Sequence, residues 1–243
     1  MSALLARTRV ILLRPSLPEN VGAVARSMAH FGLRELVLVE GVSPTHPHAL
    51  AVSAGHEPLL HAARRVDTFE EALDGTGLVV GTTARTMPGV DRRAIAPDDG
   101  ATLARDHGGR VALVFGTERT GMTNAELRRC HQVMTIPGEA EACLNLAQAA
   151  TICFYEWRLA SETPVAGERP LDAVAAEAGL VQLAERLAEA LATAGILKPR
   201  EHASKLHTLR RILSRARLSP DEAAMIASLT RAYLQHRVNE QAP

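Results

Sequence analysis

Short apolar runs recur along the first 140 residues, and between them lie segments whose apolar positions fall three and four residues apart. The runs at 10–13, 36–40, 78–81, 111–115 and 133–136 read as strands, and a further short strand is expected to begin at Val66. Runs without an alternating polar residue are the pattern of strands covered on both faces. Between the first two, Val21, Val24, Met28 and Phe31 form one helical stripe closed by Gly32, with Asn20 placed to cap it. The stretch 47–63 reads as helix broken near Gly55 and Pro58. Thr68 and Glu71 have capping-box spacing for a brief helix ending near Gly75. Strands alternating with helices at this spacing predict an α/β fold around a mostly parallel sheet, with the ligand site beyond the carboxyl ends of the strands.

Residues 111–160 hold two strand–loop–helix units in tandem. The first strand ends at Gly116, and the loop GTERTGM leads to Thr123, three residues before Glu126, so a helix is expected from Asn124. The second strand stops at Pro137 and Gly138, and the loop EAEAC opens a helix over 144–160 that is apolar on most sides and therefore expected to be buried. Gly116 and Gly121 have the G-x-x-x-x-G spacing of a phosphate loop, but Met122 stands where the lysine belongs, which argues against an NTPase. No G-x-G-x-x-G marks a dinucleotide site. The loops after Val80, Phe115 and Ile136 should meet at one pocket.

At 243 residues the chain can hold one large domain with an appendage. SETPVAGERP at 161–170, with two prolines and a glycine, reads as a linker between a domain at 1–160 and an extension at 171–243. The extension should be helical over 173–194, 203–215 and 220–236. Net charge is zero, yet Lys198, Arg200, Lys205, Arg210, Arg211, Arg215 and Arg217 face the single acid Glu201 between Gly195 and Leu218. Such a run is either a solvated face or a surface for nucleic-acid phosphates. Aromatics make up 3%, so base stacking is not the evident mode of RNA binding. Three cysteines without a C-x-x-C pair argue against disulfides and zinc. Arg7, Arg9, Arg14 and Pro15 interrupt any signal-peptide pattern, and no apolar run approaches membrane-spanning length, so a soluble cytoplasmic protein is expected.

FGTERTGMTNAEL, IPGEAEACLNLAQAA and PENVGAVARSMAHFGLRELVLVE together resemble the three sequence blocks of the SpoU/TrmH-type RNA 2′-O-ribose methyltransferases of the SPOUT superfamily. Each block alone is weak; the three together are specific. Within that family the whole chain, tail included, is most similar to the bacterial TrmJ-type branch that methylates tRNA. The resemblance implies a deep trefoil knot in the C-terminal part of the α/β domain, which periodicity could not reveal because knots are nearly absent from ordinary folds. It also implies a homodimer that uses S-adenosylmethionine, releases S-adenosylhomocysteine, needs no metal and modifies tRNA at nucleotide 32 of the anticodon loop. The same chemistry on ribosomal RNA is the nearest alternative. A non-catalytic RNA-binding relative is another, for which loss of Arg26, Asn20 or Glu118 would be the sign; all three are present.

By the same resemblance Arg26 handles the ribose hydroxyl, and Asn20 and Glu118 orient it. A guanidinium is a poor base in water, so Arg26 either takes the proton or positions the adjacent phosphate and stabilises the developing oxyanion. Arg26 lies opposite the core stripe of its helix, and Glu118 read alone is equally a solvated loop acid. The cofactor is assigned to the main chain around Thr82, Thr83, Ala84, Gly116, Ile136, Ala142, Cys143 and Leu144, where small side chains permit close approach. Cys143 stands where serine is usual, and without other features of a cysteine nucleophile it reads as a small pocket-lining residue. Lys205, Arg210 and Arg211 are the candidate RNA contacts of the tail.

Overall fold

Strands β1 (Thr8–Leu13), β2 (Glu35–Val39), β3 (Arg64–Val66), β4 (Leu78–Thr82), β5 (Val111–Phe115) and β6 (Gln132–Met134) form one parallel sheet in the order β3-β2-β1-β5-β4-β6. The computed structural model describes residues 3–84, 94–139, 143–162 and 175–240. Successive residues of each strand serve opposite faces, as the pleat requires. Val10, Leu12, Leu36, Leu38, Val80 and Leu113 pack beneath one helical layer, while Ile11, Leu13, Val37, Val39, Val79 and Val114 pack beneath the other. With both faces covered the strands need no polar alternation.

The first layer contains α1 (Ala3–Ala6), α2 (Pro18–Phe31), α3 (Pro47–Ser53), α4 (Glu57–His61), α6 (Pro97–His107) and α8 (Leu146–Glu162). The second contains α5 (Phe69–Leu73) and α7 (Asn124–Arg129). Helix α2 lies close to α3 because Gly22 has no side chain; a Cβ there would sit 2.2 Å from the Ala49 carbonyl oxygen. Near the amino ends of the strands, buried Arg9 bonds Glu35 at 2.6 Å and the carbonyls of Ala72 and Asp74 at 2.8 and 2.7 Å.

Helices α9 (Glu177–Thr193), α10 (His202–Ala216) and α11 (Pro220–Glu240) follow, with a 3-10 turn at Pro199–Glu201, and close on a small core of Leu180, Leu183, Ala184 and Leu213. This core is separate from those of the sheet. Arg217, in left-handed conformation after α10, donates from Nε to the His107 carbonyl at 3.0 Å, and Ser214 donates to the Gly77 carbonyl at 3.5 Å. His107 is 2% exposed, and burial, with the charges of Arg217 and Arg7, lowers its pKa to about 4.

Several expectations change. Helix α8 is not buried on most sides: Tyr155 and Leu159 are 49% and 43% exposed, because only the face toward α2 and α6 meets the core. Val66 ends β3 rather than beginning it, and β6 spans only Gln132–Met134, with Ile95 forming an isolated parallel bridge to Met134 along which the Thr135 amide bonds the Ile95 carbonyl at 2.9 Å. Helix α6 was not anticipated from the sequence. Most of the expected linker lies outside the described residues, although Ser161 and Glu162 continue α8. No helix among the described residues is long and apolar enough to cross a membrane.

Candidate active site

Strand β1 is bordered by β2 on one side and β5 on the other. The chain leaves β1 for α2 in one layer and leaves β5 for α7 in the other, so a crevice opens at the carboxyl ends of these two strands. The loop after β5 folds back on itself: Thr117 and Gly121 exchange backbone hydrogen bonds of 3.2 and 2.9 Å, and Thr120 donates its amide to Thr117 Oγ1 at 3.1 Å. A Cβ on Gly116 would lie 2.2 Å from the Gly121 carbonyl carbon and 2.3 Å from the Met122 nitrogen. Backbone therefore does approach Gly116 closely, but it is the loop's own. Thr123 and Glu126 close the capping box at the start of α7, and Arg14 Nη2 donates to Glu126 Oε1 at 2.6 Å.

Glu118 bridges the crevice. Its carboxylate accepts the amides of Ser16 at 3.0 Å and Leu17 at 3.1 Å, the Ser16 hydroxyl at 3.0 Å and Asn20 Nδ2 at 3.1 Å. Partial burial pushes its pKa up, but hydrogen bonds from the Ser16 amide, the Asn20 side chain and nearby backbone outweigh this and hold it below the ordinary value. Helix α2 is entered through Leu17 with Pro18 in its first turn. Asn20 is thus not the cap expected from the sequence, since proline at N1 starts the helix earlier. It is instead 7% exposed inside the first turn and committed to Glu118. The N-terminal end of α2 also favours the negative charge.

Arg26 lies elsewhere. Six helical residues rotate its direction from Asn20 by ~120° and shift it ~9 Å along the axis. It is exposed and lines an open pocket of about 700 Å³ formed by α2, the α3–α4 corner and α8, together with Ser27, His30, His56 and Thr151. Asn20 and Glu118 do not line that pocket. The chain joins two of the three expected chemical residues and sets the third apart.

Of the cofactor candidates, Thr82 ends β4 with Thr83 and Ala84 next to it, Gly116 follows β5 and Ile136 lies just past β6, three strands that are neighbours in the sheet. Thr82 Oγ1 donates to the Val114 carbonyl at 3.0 Å, and the Thr83 amide to the Met134 carbonyl at 2.9 Å. Ala84 is exposed, and Ile136 is half-buried against the core. Cys143 and Leu144 are exposed, Leu144 by 47%, just before Asn145 and Gln148 close the first turn of α8 through bonds of 3.1 and 2.7 Å. Ala142 lies outside the described residues. Sequence reasoning missed Ser16 and Leu17 as partners of Glu118, and His30, His56 and Thr151 as pocket residues; amide donors carry no side-chain signal, and the histidines come together only in space.

The model of the SpoU rRNA methylase family matches residues 7–155, well over half of the chain. This chain belongs to the SpoU methylase family. It is 37% identical over 244 aligned positions to the tRNA (cytidine/uridine/adenosine-2′-O-)-methyltransferase TrmJ of Pseudomonas aeruginosa, an alignment covering 93% of each chain. Among solved structures it resembles TrmJ of Zymomonas mobilis with a TM-score of 0.74 and 29% identity, covering 93% of this chain and 99% of that one. The SpoU methyltransferase AviRb of Streptomyces viridochromogenes, solved with AdoMet, superposes with a TM-score of 0.50 over 64% of this chain and 60% of its own. At 24% identity that last likeness concerns the fold alone.

The SpoU match ends within α8, and the three-helix extension lies beyond it. On α10 Lys205 is exposed, while Arg210 and Arg211 are half-buried. Lys198, Arg200 and Arg215 are exposed, whereas Arg217 is turned to the His107 carbonyl. The basic run is therefore divided between surface charge and packing against the sheet domain.

Proposed function

We propose that this SpoU-family protein transfers the methyl group of S-adenosylmethionine to a ribose 2′-hydroxyl of tRNA, at nucleotide 32 of the anticodon loop, in the cytoplasm. The observation that carries the reading is the bridge from Glu118 to Ser16, Leu17 and Asn20, which fixes the crevice beside the expected cofactor loops. Likeness to a tRNA methyltransferase along nearly the whole chain, tail included, supports the substrate. The family's description favours ribosomal RNA as a second reading.

Bound S-adenosylmethionine supplies an electrophilic methyl on a sulfonium and leaves as S-adenosylhomocysteine. Thr82, Thr83, Ala84, Gly116, Ile136, Ala142, Cys143 and Leu144 hold it through main chain and short or apolar side chains. Asn20 and Glu118 keep the α2 entry and the β5 loop in one fixed arrangement, so little reorganisation remains for the reaction; orientation of this kind is worth up to ~7–11 kcal/mol in model systems. Arg26, as a guanidinium, holds the ribose hydroxyl or its adjacent phosphate and stabilises negative charge developing on oxygen, while the hydroxyl proton leaves to water. The separation of Arg26 from the Glu118 bridge within one chain is what a homodimer would close, by setting α2 of one protomer against the loops of its partner. A trefoil knot in the C-terminal part of the domain at 1–160 accords with the return of α8 from β6 to pack on α1, α2 and α6. Beyond the linker at 161–170, the extension at 171–243 grips tRNA with Lys205, Arg210 and Arg211.

Purified protein with methyl-labelled S-adenosylmethionine tests the reading. An unmodified tRNA transcript should accept label, and the same transcript carrying 2′-deoxy at nucleotide 32 should accept none. Equal labelling of both would move the target elsewhere, and labelling of ribosomal RNA alone would favour the second reading.

A further inference from the structure

Arg14, directly after β1, has φ of +46° and stands in front of Pro15, where extended backbone is favoured. A left-handed arginine is unfavourable; it persists where its surroundings over-determine it, and such residues gather at functional sites. Here the surroundings do. The Arg14 amide donates to the Val39 carbonyl at 2.8 Å and the Val42 amide to the Pro15 carbonyl at 3.0 Å, which ties this stretch to the end of β2. The next two amides, of Ser16 and Leu17, are the ones Glu118 accepts. The left-handed step turns the chain off β1 so that these amides face the β5 loop.

The Arg14 side chain makes a second tie. Glu126 divides its carboxylate: Oε2 accepts the Thr123 amide at 2.7 Å, which caps α7, and Oε1 accepts Arg14 Nη2 at 2.6 Å. The cap needs only one of these oxygens, so helix formation does not account for the arginine. Stability does not account for it either, because the two side chains are 34% and 13% exposed, and a partly exposed ion pair returns less than a left-handed side chain costs. What the pair does is geometric. The segment from β5 into α7 is bound to the segment from β1 into α2 at two points, through Glu118 in the loop and through Glu126 beyond it. One tie permits a hinge, and two fix the angle.

We infer that Arg14 is a positioning residue for methyl transfer: through Glu126 it fixes the β5 loop against the entry of α2 and so holds Glu118 and Asn20 in the arrangement the reaction uses. The inference rests on the proposed methyl transfer and adds a residue that acts through its neighbours, without touching substrate or cofactor.

Single-turnover methylation of unmodified tRNA by the full chain tests this, with variants of both partners. Arg14→Gly removes the side chain and accepts the left-handed backbone at no steric cost, so its thermal midpoint should stay near that of the wild type. Glu126→Gln keeps a carbonyl oxygen for the Thr123 amide and turns an NH2 toward Arg14, so it breaks the second tie alone. Each should lower the rate roughly tenfold, within what a small misplacement costs, while tRNA affinity and its salt dependence stay at wild-type values. The double variant should be no slower than either single one, and Arg14→Lys should restore most of the rate. Amide hydrogen exchange without substrate should quicken at Ser16 and Leu17 in both single variants. A wild-type rate in Arg14→Gly overturns the positioning role and leaves only an ion pair. Losses that multiply in the double variant, with weaker tRNA binding and a flatter salt slope, show that Arg14 touches RNA itself and also overturn it. Wild-type protein that transfers no methyl to tRNA overturns the proposed function, and the positioning role with it.

Discussion

The loop after β5 and the basic face of α10 both present polar groups, and they are held in opposite ways. Around Glu118 four donors converge on one carboxylate and the loop backbone closes on itself, so the groups have one arrangement. On α10 the charges are divided: Lys205 and Arg215 are exposed, while Arg210 and Arg211 are half-buried. Just past the helix Arg217 holds the sheet domain at the His107 carbonyl. Fixed geometry suits a reaction in which atoms must line up, and scattered cationic charge suits a polyanion gripped at many points. Under the proposed function, polar groups serve orientation in the first region and affinity in the second.

The largest effect should come from Arg26. Arg26→Ala should lower single-turnover methylation by ~10²–10⁴, the usual range for proton-transfer and oxyanion groups, with cofactor affinity nearly intact. Near-normal turnover at saturating RNA would remove Arg26 from the chemistry.

Gly116→Val comes next and sharpens what a rigid loop means. Cofactor contact at Gly116 is part of the proposed function, but a side chain there meets the backbone of Gly121 and Met122 first. The variant should lose ~2 kcal/mol or more of stability together with cofactor binding, read by urea denaturation and calorimetry. Lost binding at unchanged stability would restore the view that only the ligand needs this glycine.

Glu118→Gln tests the bridge directly. Glu118 is held below its ordinary pKa, so its contribution to stability is fully present above the unfolded value near 4.5 and is lost as pH falls through the lower folded value. The variant should therefore show a flatter acid limb of stability than the wild type, along with slower methylation. His107 has the same sign from another cause: the unfolded side chain takes a proton near 6.5 and the buried one only near 4, so stability falls as pH drops between these values. His107→Phe should flatten that window, measured by thermal melts from pH 7 to 4.

Much of this architecture is readable in the chain, for reasons that particular residues make plain. Val111–Phe115 is apolar throughout because both of its faces are covered, and the Thr123–Glu126 spacing marks the start of α7 where the capping box closes. Asn20 misleads because it is a good capping residue type, while Pro18 fixes the first turn two residues earlier. Its partnership with Glu118 spans 98 residues and depends on β1 and β5 being neighbours, which no local pattern encodes. Helix α6 escapes notice because its buried positions, Pro97, Gly100, Ala101, Ala104 and His107, include no large apolar side chain to mark a stripe. The basic tail is legible as charge, but its division into surface and packing groups is not.

The smallest effect belongs to that tail. Neutralising Lys205, Arg210 and Arg211 together should weaken tRNA binding and flatten its salt dependence by ~0.7–0.9 per lost contact. The half-buried arginines should contribute less than Lys205, and methylation at saturating RNA should change little. An unchanged slope would leave α10 as a packing element.

Mapping ribose methylation in total tRNA from cells with and without this gene tests the central claim most directly. The account predicts that 2′-O-methylation at nucleotide 32 disappears with the gene, returns with the wild-type chain and does not return with Arg26→Ala. An unchanged nucleotide 32, or a loss confined to ribosomal RNA, would contradict it.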